Sequence, residues 1–170
     1  MNSDPSPTDC EALDPVRRVQ AWLTGLWRKD AGPLVDIMLK DRAETERQLK
    51  HPDWKVRCTA LSILELHWHA TDDTAFAQTC EDTALRDVHP QVRSCALRIL
   101  GVCHANRPNS RIGRLLASVV LDETQPAQCR NGAYLGLYHL RGLRVPRLTD
   151  QPTVPRIPDD FDWTFVKSFL

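Results

Sequence analysis

The sequence of 170 residues shows neither the apolar run of a transmembrane helix nor the pattern of a secretory signal. It has no run of about 18 apolar residues, so we predict no transmembrane helix. Its first residues, MNSDPSPTDCEALD, form neither a basic nor an apolar segment, so we predict no secretory signal. The six cysteines form no C-x-x-C pair and are therefore expected to be free thiols. These absences predict a cytoplasmic protein without a disulfide framework.

Motifs of common catalytic and metal sites are also missing. There is no glycine-rich phosphate loop, no G-x-S-x-G turn and no H-E-x-x-H pair. The closest approach to a metal site is His67-Trp68-His69, but imidazoles two residues apart on a helix point about 200° apart and cannot chelate one ion. Cysteines within helical segments are usually buried as small apolar side chains. We predict no metal, no cofactor and no enzymatic activity.

The net charge is zero, but the charges are segregated along the chain. Residues 1–85 carry 10 Lys and Arg against 15 Asp and Glu, whereas residues 86–147 carry 10 Arg against three acidic residues. Residues 148–170 return to an excess of acid. Two interpretations stay open: arginines solvated on helices, or a basic surface that attracts an acidic partner.

An internal repeat organises the middle of the chain. VRCTALSIL at 56–64 matches VRSCALRIL at 92–100 without gaps, at an offset of 36 residues, and the second copy closes on Gly101. A third copy begins at Arg130 and a weaker one at Arg18. Other helical segments lie between the copies, prolines and turn residues separate them, and the alternation typical of strands is absent. The pattern predicts antiparallel helix pairs near 33–69, 73–104 and 109–141, after a leading helix near 14–28.

Residues 87–101 follow the pattern D-x-x-P-x-V-R-x-x-A-L-x-x-L-G. This segment resembles the HEAT-like helical repeats, in particular the short type found in bilin-lyase-like proteins. The resemblance extends over residues 14–141. It implies an all-α fold, a right-handed α-solenoid of about three to four helix pairs.

The resemblance also accounts for a charged residue beside an apolar helix face. In such repeats an aspartate and an arginine form a ladder between neighbouring repeats, where the arginine pairs with a carboxylate or with carbonyls at a helix end. His51 and Thr124 replace the aspartate in two copies, so the acidic half of the ladder is incomplete. The implied ladder residues are Arg57, Asp87, Arg93 and Arg130.

The sequence divides into three predicted parts. Residues 1–13 are expected to be disordered or extended, residues 14–141 to form the repeat domain, and residues 142–170 to form a Pro-rich arm with a short helix. Prolines at the density found in the arm prevent a helix there. The final segment FDWTFVKSFL has phenylalanines four residues apart. It either caps the open end of the solenoid or binds the groove of a partner.

We predict a non-catalytic protein–protein interaction module. Solenoids of helix pairs use the concave face of their second helices, and the resemblance suggests a bacterial adaptor, regulatory subunit or immunity protein. Trp54 is the leading contact residue, because exposed tryptophan is typical of hot spots, although core packing is an equal interpretation. The oligomeric state stays open. The predicted partner-binding residues are Trp54, Ser62, Glu65, Arg98, Asn131 and Leu135.

The alternative function is nucleic-acid binding. Some HEAT-like proteins are DNA glycosylases that hold alkylated DNA on a basic concave face, and arginines in residues 86–147 could contact phosphates. The neutral chain and the lack of a matching catalytic motif argue against this alternative. We therefore favour a protein partner, with an acidic one suited to the arginines. The candidate phosphate contacts are Arg98, Arg107, Arg111, Arg114, Arg141, Arg144 and Arg147.

Overall fold

The computed structural model describes residues 32–106, 110–143 and 161–170. Within these ranges the chain is helical and contains no strand, so the all-α prediction is confirmed for them. None of these helices is long and apolar enough to span a bilayer. The helices are α1 (Gly32–Lys40), α2 (Arg42–Gln48), α3 (Trp54–Leu66), α4 (Thr74–Arg86), α5 (Pro90–Cys103), α6 (Ser110–Leu121), α7 (Ala127–Leu140) and α8 (Trp163–Lys167).

Several predictions concern residues outside the described ranges. They are the extended N-terminus, the leading helix near 14–28, the weak repeat copy at Arg18, and residues 144–160 of the Pro-rich arm. The described helices α1 to α7 fall within the three predicted pairs. The chain forms two compact units, Met1–Ala70 and Thr71–Leu170.

The helices begin where short-range signals in the sequence favour a start. Asp53 and His89 stand at equivalent positions of the repeat, and each is the N-cap of the helix that follows it. The Asp53 carboxylate accepts a hydrogen bond from the backbone N–H of Lys55 at 2.9 Å, and His89 Nδ1 accepts one from Gln91 at 3.2 Å. Both bonds satisfy an N–H group that the helix leaves without a partner.

In the first unit, one predicted helix is interrupted. The sequence pattern indicates a continuous helix over 32–50, but Asp41 has an extended backbone and separates α1 from α2. Its carboxylate caps α2 by accepting a hydrogen bond from Glu44 N–H at 3.2 Å. The interruption leaves carbonyls at the end of α1 that the helix itself cannot satisfy.

Three side chains donate hydrogen bonds to those carbonyl oxygens. Thr45 is fully buried, and its hydroxyl donates to Met38 O at 2.6 Å. Trp68 Nε1 donates to the same oxygen at 3.2 Å, and His67 Nε2 donates to Leu39 O at 2.9 Å. The break therefore depends on residues almost 30 positions further along the chain. The apolar core beside them consists of Val35, Met38, Ala60 and Ile63, with Leu34, Leu39, Leu49 and Trp68 packed against it.

Replacing Thr45 by valine is expected to destabilise the first unit by about 1–2 kcal/mol. The change keeps the side-chain shape but removes the hydroxyl that donates to Met38 O and lies 3.3 Å from Trp68 Nε1. Urea unfolding followed by tryptophan fluorescence measures the loss. The matched control is Thr79→Val, since the exposed Thr79 hydroxyl bonds only within its own helix. Equal effects of the two changes would contradict this role of Thr45.

In the second unit, α4 packs on α5, α6 packs on α7, and α5 lies along α7. The short helix α8 contacts α6. The buried apolar residues of the unit come from all four long helices, and Phe161 and Val166 of the final segment join them. This packing brings the second helices of two successive predicted pairs side by side.

Candidate partner-binding face

Helices α5 and α7 touch through their backbones. A Cβ atom built on Gly101 would lie 2.1 Å from the carbonyl oxygen of Gly136. A Cβ on Gly132 would lie 2.3 Å from Ser94 O, and one on Gly136 would lie 2.6 Å from Leu97 O. Any side chain at these positions would push the helices apart. We call this line of contact the α5–α7 seam.

The order of contacts along the seam gives the direction of the helices. Ser94 meets Gly132, and Leu97, one turn later in α5, meets Gly136, one turn later in α7. Because both positions advance together, the two helices run parallel. Parallel second helices at van der Waals distance form a nearly continuous surface along the seam.

Three predicted partner-binding residues, Arg98, Asn131 and Leu135, border this seam, and Ser94 lies on it beside them. Ser94 and Arg98 of α5 and Asn131 and Leu135 of α7 are all half-buried. Asn131 directly precedes Gly132, whose Cα faces Ser94. The side-chain oxygen of Asn131 is buried and has no hydrogen-bond partner among the residues that the structure describes. We call the surface of these four residues the α5–α7 face.

The contact residues predicted in the first unit differ in how much of each is exposed. Trp54 is the first residue of α3 and is half-buried. Ser62 is 1% exposed and Glu65 is 7% exposed. Because so little of either residue is exposed, both are omitted from the binding surface proposed below. The helical period could not show this, because α3 is buried without interruption from Val56 to Glu65.

The repeated arginines hold the turn or helix end that precedes their own helix. Arg57 donates through Nη1 to His51 O at 2.8 Å and to Pro52 O at 3.0 Å. Arg93, at the equivalent position, donates to Asp87 O at 2.9 Å, again six residues back. A guanidinium beside an apolar helix face is stabilised by such bonds to carbonyl oxygens.

Arg130 makes the corresponding contact in the third copy in a different way. It is buried, and its Nε donates to Val120 O in the last turn of α6 at 2.8 Å. Val120 O is one of the carbonyls that the end of a helix leaves without an intrahelical partner. These bonds join the two helices of one pair. The ladder between neighbouring repeats stays a prediction.

Asp87, the acidic residue assigned to that ladder, shapes the turn between α4 and α5. It is the C-cap of α4, and its carboxylate accepts a hydrogen bond from His89 N–H at 2.8 Å. Its carbonyl oxygen accepts the bond from Arg93. Side chain and backbone of Asp87 thus hold the start of α5 in position.

An ion pair between α4 and α6 was not predicted. Arg111 of α6 donates through both terminal nitrogens to Glu81 of α4, at 2.5 and 2.6 Å. This hydrogen bonding holds the pKa of Glu81 below its ordinary value, against the opposing effect of burial, and the charge of His104 adds to the lowering. The two residues lie 30 positions apart along the chain, and no motif in the sequence indicated the pair.

The Glu81–Arg111 pair predicts a loss of stability in acid. Because folding lowers the pKa of Glu81, its contribution is present above the ordinary value of 4.5 and is lost as the pH falls through the folded-state value. Glu81→Gln should cost less than about 1 kcal/mol at neutral pH, since Arg111 is largely exposed. Urea unfolding at several pH values should show the difference from wild type shrinking below the ordinary pKa. Asp82→Asn, on the exposed side of α4, is the control. A difference that does not depend on pH would contradict the assignment.

The charge segregation seen along the chain largely disappears within the folded unit. Thr71–Leu170 contains 12 Lys and Arg and 11 Asp and Glu, a net charge of +1. The acidic α4 belongs to this unit, and Glu81 pairs directly with Arg111. Arg93 and Arg130 bind carbonyl oxygens. Arg107, Arg144 and Arg147 lie outside the described residues.

The chemistry of the described residues is modest. No group of three or more His, Cys, Asp or Glu residues in these ranges is arranged to hold a metal ion. The histidine pair considered earlier lies past the end of α3, with His67 as its C-cap. Burial raises the pKa of the Cys129 thiol, with Arg93 acting in the opposite direction, so the thiol is the prevailing form at neutral pH. The free cysteines in these ranges are Cys58, Cys80, Cys95, Cys103 and Cys129.

Comparison with known proteins identifies no relative: no protein-family model, no curated protein and no solved structure matches the chain.

Proposed function

We propose that the chain is a non-catalytic protein-binding module of the HEAT-like, right-handed solenoid type, and that the α5–α7 face contacts the partner. The observation that carries this proposal is the parallel seam of Gly101, Gly132 and Gly136. Stacking of second helices from successive pairs is what a helical solenoid requires. A role as a cytoplasmic adaptor, regulatory subunit or immunity protein fits such a module.

The mixed chemistry of the α5–α7 face supports a protein partner. It combines the apolar Leu135, the amide of Asn131, the hydroxyl of Ser94 and the guanidinium of Arg98. Arginine and half-buried apolar side chains surrounded by polar groups are common at protein interfaces. Neither α5 nor α7 contains an acidic residue, which favours a partner with acidic groups.

The near-neutral charge of the second unit disfavours the nucleic-acid alternative. A phosphate-binding surface needs several arginines free to replace counterions. Arg111 is neutralised by Glu81, and the buried Arg130 is committed to a carbonyl oxygen. Among the residues that the structure describes, the α5–α7 face contains one arginine, Arg98, and one guanidinium gives little attraction for a phosphate backbone.

Site-specific photo-crosslinking tests the proposal. A photoreactive amino acid is placed at position 135 on the α5–α7 face and, as the matched control, at position 114 on the exposed side of α6. We expect position 135 to give a discrete protein adduct in the native cell that resists nuclease, whereas position 114 gives none. Equal yields of adduct from the two positions would show that the partner does not bind specifically at the α5–α7 face.

Salt dependence separates the two classes of partner. Binding of the protein to duplex and single-stranded DNA and RNA of mixed sequence is measured at about 50 and 200 mM salt. We expect no binding at either concentration. Micromolar binding that collapses at the higher concentration would establish the nucleic-acid alternative instead.

A further inference from the structure

The last ten residues form a separate segment that packs on the second unit. The ring of Phe161 stacks on Tyr134 of α7, with centroids 4.2 Å apart and an interplanar angle of 14°. Phe165 lies against Tyr138, with ring centroids 4.9 Å apart. Residues 144–160 connect this segment to α7. The contacts therefore join the body of the unit to a segment that is distant along the chain.

Polar contacts fix the orientation of this segment. The Tyr134 hydroxyl accepts a hydrogen bond from the backbone N–H of Asp162 at 2.9 Å. Asp162 is also the N-cap of α8, since its carboxylate accepts a hydrogen bond from Phe165 N–H at 2.9 Å. A carboxylate at this position thus shapes the short helix while its backbone binds the body.

The other end of the segment is held by α6 and by the end of α7. Arg141 donates to Ser168 Oγ at 3.3 Å, and its guanidinium lies 4.6 Å from the centre of the Phe169 ring. Gly113 provides room for that ring, because a Cβ there would lie 2.8 Å from Phe169 Cδ1. We call the surface formed by Gly113, Tyr134, Tyr138 and Arg141 the tail-docking surface. It contacts aromatic rings that are spaced four residues apart in the segment.

The segment itself is lightly held. Of its ten residues only Phe161 and Val166 are buried, its helix has five residues, and Leu170 is 66% exposed. Short elements with few buried apolar contacts open at much lower free energy than the core that they cover. Because the segment belongs to the same chain as the surface that it contacts, its binding is intramolecular, and even weak contacts hold it in place.

We propose that the tail-docking surface is a recognition site for aromatic protein segments, and that the C-terminal segment is its resident, displaceable ligand. The partner presents aromatic residues at i, i+4 and i+8, with an Asp immediately after the first of them to cap the short helix. Such a partner displaces residues 161–170 from Tyr134 and Tyr138. The proposal concerns a different surface from the α5–α7 face and does not depend on the proposed function.

Binding of the segment in trans tests this proposal. The probe is a fluorescein-labelled peptide with the sequence of residues 159–170, and binding to the full chain is followed by fluorescence anisotropy. The Phe161→Ala/Phe165→Ala substitutions remove the ring contacts with Tyr134 and Tyr138 and are expected to release the resident segment. We expect the peptide to bind this variant at least about tenfold more tightly than wild type, where the tethered segment competes.

The matched control is the same peptide with both phenylalanines replaced by alanine, which should not bind. Equal affinity for wild type and variant would show that the peptide binds elsewhere and would overturn the proposal. Binding of the control peptide, or no binding of the native peptide to the variant, would overturn it as well. Circular dichroism checks that the variant keeps its helices.

Hydrogen exchange of the wild-type chain tests displaceability without any substitution. The N–H of Asp162 is a direct reporter, because it donates to Tyr134. We expect this amide and that of Val166 to exchange at least about tenfold faster than buried amides in the middle of α5 and α7. Exchange as slow as in those helices would show that the segment leaves only on global unfolding, and would overturn the proposal.

Discussion

Replacing Gly101 by alanine is expected to destabilise the second unit by about 3 kcal/mol, near the upper end of the usual range for overpacking. The new Cβ would lie 2.1 Å from the carbonyl oxygen of Gly136, a backbone atom that cannot rotate away. The α5–α7 seam must then widen along its length, which separates the apolar side chains on both of its sides. Urea unfolding followed by circular dichroism measures the loss.

Gly113→Ala is the matched control for this prediction. Gly113 is also a buried glycine within a helix, but a Cβ there meets the side chain of Phe169, which can move. Alanine favours a helix over glycine by up to about 1 kcal/mol, so the control should change stability little. If Gly101→Ala were no more destabilising than Gly113→Ala, the backbone contact at the seam would be refuted.

Arg130→Met is expected to destabilise the second unit by about 2 kcal/mol. The change keeps a long apolar side chain but removes the Nε donor, and the carbonyl oxygen of Val120 is left buried without its side-chain partner. An unpaired buried acceptor costs the full penalty of its lost hydration. Thermal and urea unfolding of the variant both report this loss.

Arg114→Met is the control for the arginine prediction. Arg114 lies on the exposed side of α6, where substitutions usually change stability by less than about 0.5 kcal/mol. Arg93→Ala should cost about 1–3 kcal/mol, because Arg93 is half-buried and donates to Asp87 O. A neutral effect at both Arg93 and Arg130 would mean that the repeated arginine has no structural role.

Local signals in the sequence were enough to predict most of the helical organisation. Pro90 indicates the start of α5. For α4 the sequence offers Asp72 or Asp73 as the cap, and in the structure it is Asp73, whose carboxylate accepts a hydrogen bond from Ala75 N–H at 2.8 Å. The 36-residue offset likewise predicts that Arg57 and Arg93 have equivalent surroundings, and each binds a carbonyl six residues back. Such features depend on residues a few positions apart, which periodicity and capping rules describe well.

The location of the proposed α5–α7 face could be predicted only in part. Arg98, Asn131 and Leu135 do border one seam, whereas Ser62 and Glu65 are buried. The charge excess of residues 86–147 suggested a basic surface, but the compact unit includes the acidic residues of α4 and of the C-terminal segment. Burial and net charge are properties of the whole folded unit. A segment such as residues 86–147 contains only part of that unit and therefore does not give its net charge.

The sequence by itself determined the helical class, the repeat length and most of the helix starts, because each follows from the pattern of residues along the chain. Only the tertiary structure decided the break at Asp41, which depends on Trp68 and Thr45, and the role of Gly101. Glycine at position 101 looks like the end of a helix, yet α5 continues to Cys103. Position 101 must lack a side chain so that α7 can approach α5 closely. The sequence of α5 alone does not show this, because the space between two helices depends on the residues of both.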